Sequence, residues 1–160
     1  MSKAWGAPGL RVGWAVGPAD ILEPARLVHN YAVTAASRPS QEAALALLEA
    51  SDEVLPAARL ELAARWAAFA EGLLSGFGIE AKKNAGAFYY WLRIPEKARD
   101  ATEVCLKARD EGRVIAVPGS AFGASGERYV RLSYGASSAD ITEGLRRLAP
   151  FWDARYWRKA

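Results

Sequence analysis

The sequence predicts an α/β protein in which a small α/β sandwich, with helices on one face of a sheet, is preceded by a long helix. Three observations support this class. The second half alternates extended and helical patterns in the order strand, strand, helix, strand, strand, helix. Apolar residues within 53–75 recur at spacings of four and three, which is typical of a long amphipathic helix. The 160 residues are 51% apolar and 24% charged, a globular balance in a chain long enough to bury a core.

The first part of the chain predicts one strand and a short helix. Residues 4–18 are rich in glycine and proline but contain the apolar run 10–16, which indicates a turn followed by a strand. A short helix is expected at 21–29 and a loop at 31–40. A lone strand has no sheet to join unless partner strands come from elsewhere.

Two further helices follow. The first is expected at about 40–50, with Ser40 as its N-cap. The second is the long helix at about 53–75, and Gly76 or Gly78 is expected to end it, because glycine commonly follows the last helical residue.

The second half predicts four strands and two helices. The strands are expected at residues 79–81, 87–94, 113–117 and 129–134. Asp100 is expected to cap a helix at 101–111 that Gly112 ends, and Ser137 or Ser138 to cap the last helix. The inward residues of these helices are expected to be Ala101, Val104, Cys105, Ala108, Ile141, Leu145 and Leu148. Three aromatic residues near the end either pack or form an oligomer contact: Trp152, Tyr156 and Trp157.

Charge, cysteine content and hydropathy weigh against several classes. The net charge of +3 is too small to indicate a nucleic-acid partner. Cys105 is the sole cysteine, which excludes an intramolecular disulfide and suits a reducing cytoplasm, so we expect a cytoplasmic protein. No uncharged run of about 18 residues predicts a membrane span, and no apolar signal segment follows Met1. Histidine and cysteine are too few for a metal site.

The N-terminal segment carries the strongest chemical signal. Lys3 lies in a glycine-rich turn, and Arg11 follows it at the start of the predicted strand. A guanidinium group can bind a phosphate through two donors, and the hydroxyl of Ser2 can add a third. A lysine amine forms a Schiff base when its pKa is lowered. Together these groups describe a pyridoxal phosphate site. The alternative is an exposed lysine near the terminus.

The motif in this segment is similar to a known signature. The run S-K-x-x-G-x-x-G-x-R-x-G at residues 2–13 resembles the cofactor-lysine signature of class I/II aminotransferases, the fold-type I pyridoxal phosphate enzymes related to aspartate aminotransferase. All its fixed positions match. The P-G-x-x-F-G loop at 118–123, followed by a strand, resembles a later segment of that family, and 86–88 resembles its G-x-F strand. The resemblance covers the chain from Ser2 to about Phe151.

The resemblance implies roles for four residues. Lys3 would hold pyridoxal 5'-phosphate as a Schiff base and later shuttle a proton between the substrate α-carbon and the cofactor. Ser2 and Arg11 would bind the cofactor phosphate. Arg131 would pair with the substrate α-carboxylate, and strand alternation places it on one face with Tyr129. From the residues alone, the alternative for Arg131 is a surface arginine on a half-solvated sheet.

The resemblance also implies two parts in the chain. Residues 1–55 would be a remnant of the large cofactor-binding domain, and 56–160 the C-terminal small domain with its connecting helix. In a complete enzyme, a large domain upstream of the lysine supplies an acid for the pyridine nitrogen and an aromatic stacked on the ring. We therefore expect the C-terminal part of such an enzyme. On this expectation Met1 corresponds to an internal methionine of a longer ancestral sequence. The chain would then be a cut piece of the enzyme, the product of a truncated reading frame, or one half of a split enzyme.

The function implied is amino-group transfer between an amino acid and a 2-oxo acid by a pyridoxal phosphate-dependent aminotransferase. A related decarboxylase or lyase would use the same residues, and an inactive fragment or association module is the other alternative. Expected partners are the two substrates and either a second copy in a homodimer or a missing large-domain chain, with no nucleic acid and no membrane. Arg131 would recognise the α-carboxylate that every amino acid carries, so the resemblance implies amino acids as a class and not a particular one.

Overall fold

The computed structural model describes residues 1–158, and the chain divides into two compact units after Leu60. None of the described helices combines the length and the apolar character needed to cross a membrane. The assignment of residues 1–55 to the remnant of a large cofactor-binding domain, and of 56–160 to a small domain, stays a prediction.

The first unit consists of an N-terminal turn and helices. The helices are α1 at Ala19–Val33, α2 at Arg38–Glu49 and the beginning of α3 at Ser51–Phe77. The ring of Trp5 lies edge-on to Trp14 with 6.1 Å between centroids, and its indole N–H donates to the hydroxyl of Ser51 at 3.0 Å. These contacts tie the N-terminal turn to the start of α3.

The predicted strand at 10–16 is wrong. A short 3-10 turn covers Pro8–Leu10, and residues 11–18 adopt no regular structure. Every strand among the described residues lies in the second unit, so the first unit offers this run no strand with which to pair its backbone N–H and C=O groups.

The helices of the first unit begin and end differently from the prediction. Helix α1 extends beyond 21–29 at both ends, which shortens the loop predicted at 31–40 to residues 34–37. Ser37, not Ser40, occupies the N-cap position of α2, and its side chain makes no capping bond. Pro39 in the first turn favours this earlier start, because proline presets helical φ and needs no N–H there.

Helix α3 confirms the predicted long helix and is slightly longer at both ends. Gly78 ends it: its φ of +66° lies in the left-handed region that favours glycine, and its N–H donates to the carbonyl of Leu74 at 3.0 Å. Gly76 lies inside the helix. Phe69 and Leu73 are buried and belong to the core of the second unit.

The second unit is built around a three-stranded antiparallel sheet in the order β1-β3-β2. Its strands are β1 at Tyr89–Arg93, β2 at Val117–Pro118 and β3 at Tyr129–Ser133. In the central strand, Arg131 lies opposite Trp91 on one side and Val117 on the other.

Two predicted strands of this unit are wrong in whole or in part. Residues 79–81 join no sheet. Ile79 and Ala81 are half-buried and pack against the core without pairing with a strand. The strand predicted at 113–117 shrinks to Val117 and the adjacent proline. Arg113 has φ +57°, a left-handed conformation that interrupts an extended backbone.

Two capped helices complete the core of the second unit. Helix α4 spans Ala101–Asp110 and α5 spans Ser138–Leu148. Both predicted caps are confirmed: a carboxylate oxygen of Asp100 accepts from the N–H of Glu103 at 2.8 Å, and the hydroxyl of Ser137 from the N–H of Asp140 at 3.1 Å. All the predicted inward residues of α4 and α5 are buried, and they share one core with Leu92, Val130, Leu132, Phe69 and Leu73.

The aromatic residues near the end of the chain pack against this core. The indole N–H of Trp157 donates to the carbonyl of Phe151 at 2.8 Å, and that of Trp152 to the carbonyl of Arg93 at 2.9 Å. The hydroxyl of Tyr156 donates to a carboxylate on α4's C-terminal flank, Glu111, at 2.7 Å. Intramolecular packing is therefore what these residues do in the described part of the chain.

Arg128 fastens the 95–99 loop to the start of β3, and its replacement by lysine should destabilise the second unit. Its guanidinium donates to the carbonyls of Ala98 at 2.8 Å, Arg99 and Pro95 at 3.0 Å, and Glu96 at 3.3 Å. A lysine keeps the charge but cannot span these acceptors with a planar fork. We expect Arg128→Lys to cost about 2 kcal/mol and lower Tm by about 10 °C in thermal denaturation.

The matched control for that measurement is Arg109→Lys. Arg109 is exposed and, among the described residues, forms its ion pair with its neighbour Asp110 alone; exposed pairs of this kind contribute little to stability. Equal melting of the two variants would contradict the role given to Arg128.

Cys105 is a core residue and should resist alkylation. It is 7% exposed on α4, and burial raises the pKa of its thiol to about 11. At pH 8 only about a thousandth of the thiol is therefore thiolate, the reactive form. We expect iodoacetamide to leave Cys105 unmodified in the native chain and to alkylate it fully in guanidinium chloride, as read by mass spectrometry. Rapid alkylation of a chain with native circular dichroism would show that the thiol is accessible.

Candidate functional site

The turn that carries Lys3 is closed by its own backbone. The N–H of Gly6 donates to the carbonyl of Lys3 at 3.2 Å, and the N–H of Ala7 to the carbonyl of Met1 at 3.4 Å. Gly6 has φ +60°, a left-handed conformation that explains glycine at this position of the motif. The turn leaves the Lys3 side chain exposed and Ser2 half-buried.

Arg11 ends the short 3-10 turn that follows. Its φ of +53° is left-handed, and its N–H donates to the carbonyl of Pro8 at 3.4 Å. One terminal guanidinium nitrogen donates to the same carbonyl at 3.0 Å, which folds the side chain back over the turn. No carboxylate in residues 1–158 forms an ion pair with Arg11. The remaining donors of its fork can therefore serve an external anion.

The charged side chains of the N-terminal segment, residues 1–19, are all positive. Lys3 and Arg11 are its charged side chains, and no aspartate or glutamate occurs before Asp20. A primary amine suits an aldehyde carbon, and a guanidinium with a hydroxyl suits a phosphate. The donor set of Ser2, Lys3 and Arg11 thus fits the aldehyde and phosphate groups of pyridoxal 5'-phosphate.

Arg131 lies at the centre of the sheet in the second unit, on the face turned away from the core. Val130 is 0% and Leu132 7% exposed, while Tyr129 and Ser133 are exposed, so the predicted alternation along β3 is confirmed. The guanidinium carbon of Arg131 lies 4.3 Å from the ring centroid of Tyr89. It lies 4.2 Å from the ring centroid of Phe122. Both distances are within cation–π range.

Phe122 is presented by a loop that depends on two glycines. The 3-10 turn Gly119–Phe122 is followed by a second one, Ala124–Gly126, and their backbones touch. A Cβ on Gly119 would lie 2.7 Å from the carbonyl oxygen of Tyr129 and would overlap the carbonyl oxygen of Gly126. Only glycine fits at this contact.

The structure places three of the predicted site residues, Ser2, Lys3 and Arg11, in one N-terminal segment and the fourth, Arg131, on β3. Their roles stay predictions. The contact of Tyr89 and Phe122 with Arg131 is not predicted by the sequence, although the aromatic strand and the P-G-x-x-F-G loop are both visible in it. No group of three potential metal ligands among histidine, cysteine, aspartate and glutamate occurs within residues 1–158.

Comparisons with known proteins identify relatives along nearly the whole chain. The probable N-acetyl-LL-diaminopimelate aminotransferase of Bacillus subtilis is 35% identical over 152 residues, covering 94% of this chain and 38% of that protein. An aspartate aminotransferase of Rhizobium meliloti is 29% identical over 163 residues, covering 96% of this chain and 39% of that protein.

Solved structures give the same result for the fold. The crystal structure of an aromatic aminotransferase from Pyrococcus horikoshii matches with a TM-score of 0.83 and 29% identity, covering 96% of this chain and 42% of that one. This likeness confirms the predicted fold class as part of an aspartate aminotransferase-like fold. The chain spans about 38% of the length of the Bacillus subtilis relative.

A family model agrees with these matches. The model described as aminotransferase class I and II matches residues 1–148, and its match includes the motif at 2–13, the loop at 118–123 and strand β3. This chain therefore belongs to the class I and II aminotransferase family.

Proposed function

We propose that this chain carries the cofactor lysine and the substrate-carboxylate arginine of a pyridoxal phosphate-dependent aminotransferase, which moves an amino group between an amino acid and a 2-oxo acid. The observation that carries the proposal is the N-terminal segment, where Lys3 and Arg11 flank a glycine turn in a stretch without acids. Family membership supports it. The relatives named above differ in the substrate named, so the proposal extends to the amino-acid class only.

Each site residue has a defined task in this proposal. The Nζ of Lys3 would hold the cofactor as a Schiff base, and the same amine would carry a proton to and from the substrate α-carbon. Arg11 and Ser2 bind the cofactor phosphate. Arg131 binds the substrate α-carboxylate with the N–H groups of its planar guanidinium. When bound, pyridoxal phosphate supplies the electron sink for negative charge at that carbon.

Borohydride trapping tests the proposal on the chain as it stands. We expect reduction in the presence of pyridoxal phosphate to leave a pyridoxyl group on Nζ of Lys3 in preference to Lys97 and the other exposed lysines. Tandem mass spectrometry distinguishes Nζ of Lys3 from the α-amino group of Met1. Pyridoxal without its phosphate should label Lys3 less than pyridoxal phosphate does, because Arg11 and Ser2 then bind nothing. Equal labelling of all lysines would reject the site.

A related decarboxylase or lyase would give the same trapping result, so the product decides between them. Conversion of an amino donor to its 2-oxo acid, with the amino group recovered on a second 2-oxo acid, supports an aminotransferase. Release of carbon dioxide supports a decarboxylase.

The exposed apolar side chains of the first unit favour a second candidate function. In this function the chain is an association module without catalytic activity. No side chain of α1 is buried, and Ile21, Val28 and Tyr31 are 63%, 68% and 83% exposed. Exposed apolar clusters mark interaction surfaces. Concentration-dependent self-association in light scattering without any turnover would support this candidate, and a monomer that turns over substrate would reject it.

A further inference from the structure

Two aromatic rings lie against the guanidinium of Arg131 on the outer face of the sheet. Its guanidinium carbon lies 4.3 Å from the centroid of Tyr89 and 4.2 Å from that of Phe122. Guanidinium groups stack on aromatic faces because the ring quadrupole attracts the cation and the planar group loses little hydration. The two rings come from different elements, β1 and the loop after β2, so together they restrain the group more than either ring could alone.

The edge of the guanidinium is its hydrogen-bonding surface. Its N–H donors all lie in the plane of the group, and its central carbon lies over both rings, at 4.3 Å from the centroid of Tyr89 and 4.2 Å from that of Phe122. No carboxylate in the described part of the chain forms an ion pair with Arg131, whereas Arg146 and Arg147 both pair with Glu143. A carboxylate that approaches Arg131 in the plane of its guanidinium accepts two parallel hydrogen bonds.

Both rings are fixed by contacts of their own. Tyr89 lies opposite Ser133 in the ladder between β1 and β3, and its ring centroid lies 4.6 Å from that of Phe88. Phe122 meets the ring of Trp91 edge-on with 5.5 Å between centroids, and its loop is locked by the glycine contact described above. The position of each ring is thus set before any ligand arrives.

We propose that Tyr89 and Phe122 are positioning residues that fix the guanidinium plane of Arg131 for bidentate recognition of a carboxylate. The inference rests on the proposed function in one respect, the role of Arg131 as the carboxylate-binding residue. Pre-orientation matters because an arginine side chain otherwise loses much of its rotamer freedom on binding. Neither ring touches the carboxylate in this scheme; both act through Arg131.

The experiment is an NMR titration of the full chain with pyruvate, a simple 2-oxo acid, read at the Nε–Hε signal of Arg131. In the free wild-type chain we expect this signal to be shifted by the ring currents of the two aromatic rings. The double variant Tyr89→Leu/Phe122→Leu should lose that shift and weaken pyruvate binding about tenfold. Tyr89→Phe keeps the aromatic ring and should retain both the ring-current shift and the wild-type affinity for pyruvate. Arg131→Lys, which keeps the charge but not the fork, should also bind pyruvate weakly.

The outcomes separate the inference from the proposed function. Wild-type affinity in the double variant, together with weak binding by Arg131→Lys, would overturn the positioning role and leave Arg131 as the binding residue. No response of Arg131 to pyruvate in the wild-type chain would overturn the carboxylate role and the positioning role together. If the double variant fails to fold, as judged by the amide signals of Val130 and Leu132, Phe122→Leu alone is compared with Phe122→Tyr. Equal pyruvate affinity in those two variants would overturn the inference.

Discussion

Replacing Lys3 by alanine is expected to abolish the pyridoxyl adduct that borohydride traps at this position. The side chain is exposed at a closed turn, and Lys3 supplies the one side-chain amine in residues 1–19. Arg11 still attracts the phosphate in the variant, but nothing beside it can bond to the aldehyde. We expect the adduct on the N-terminal peptide to fall at least about tenfold. The adduct that remains should be on the α-amino group of Met1. Any transaminase turnover that the chain supports should fall about 10²–10⁴-fold, the range for losing a positioned proton carrier.

Two further variants show whether that loss is specific. Lys97→Ala removes an exposed lysine of the second unit and should leave the adduct on Lys3 unchanged. Arg11→Gln should lower labelling by pyridoxal phosphate but not by pyridoxal, because only the former carries the anion that Arg11 is proposed to bind. If Lys3→Ala is trapped as efficiently as the wild-type chain, Lys3 is not the cofactor lysine.

The parts of the fold that the sequence predicts well are those decided by short-range interactions. The caps at Asp100 and Ser137 and the stop at Gly78 depend on hydrogen bonds and φ angles within a few residues. The outward face of Arg131 depends only on the period of two along β3. Such features are determined by residues close together in the sequence and do not depend on distant ones.

The parts that the sequence predicts poorly depend on distant segments. The run 10–16 has the composition of a strand but no partner strand in its unit, and β-pairing rather than composition decides whether a strand forms. The stacking of Tyr89 and Phe122 on Arg131 depends on the register of β1 against β3 and on the path of the loop after β2. Residue spacing determines neither the strand register nor the loop path, so the aromatic partners of Arg131 are evident only in the structure.

The largest effect on stability is expected from Gly119→Ala. The new Cβ would overlap the carbonyl oxygen of Gly126 and lie 2.7 Å from both the carbonyl oxygen of Tyr129 and the ring of Trp91. Backbone atoms cannot move aside as a flexible side chain can, so the loop must rebuild. We expect a cost of about 3 kcal/mol and a fall in Tm of about 15 °C in thermal denaturation.

A second glycine in the same unit gives a control of opposite sign. Gly144 lies within α5, and a Cβ there would meet no described atom within 4 Å apart from its chain neighbours and the nearby backbone of its own helix. Gly144→Ala should therefore stabilise the chain by up to about 1 kcal/mol through helix propensity. Because the Gly119 loop also presents Phe122, Gly119→Ala should reduce the ring-current shift of Arg131 to the part that Tyr89 contributes, while Gly144→Ala keeps the full shift. A Gly119→Ala chain that melts like the wild type would show that this loop opens without cost, and the fixed placement of Phe122 against Arg131 would then lose its structural basis.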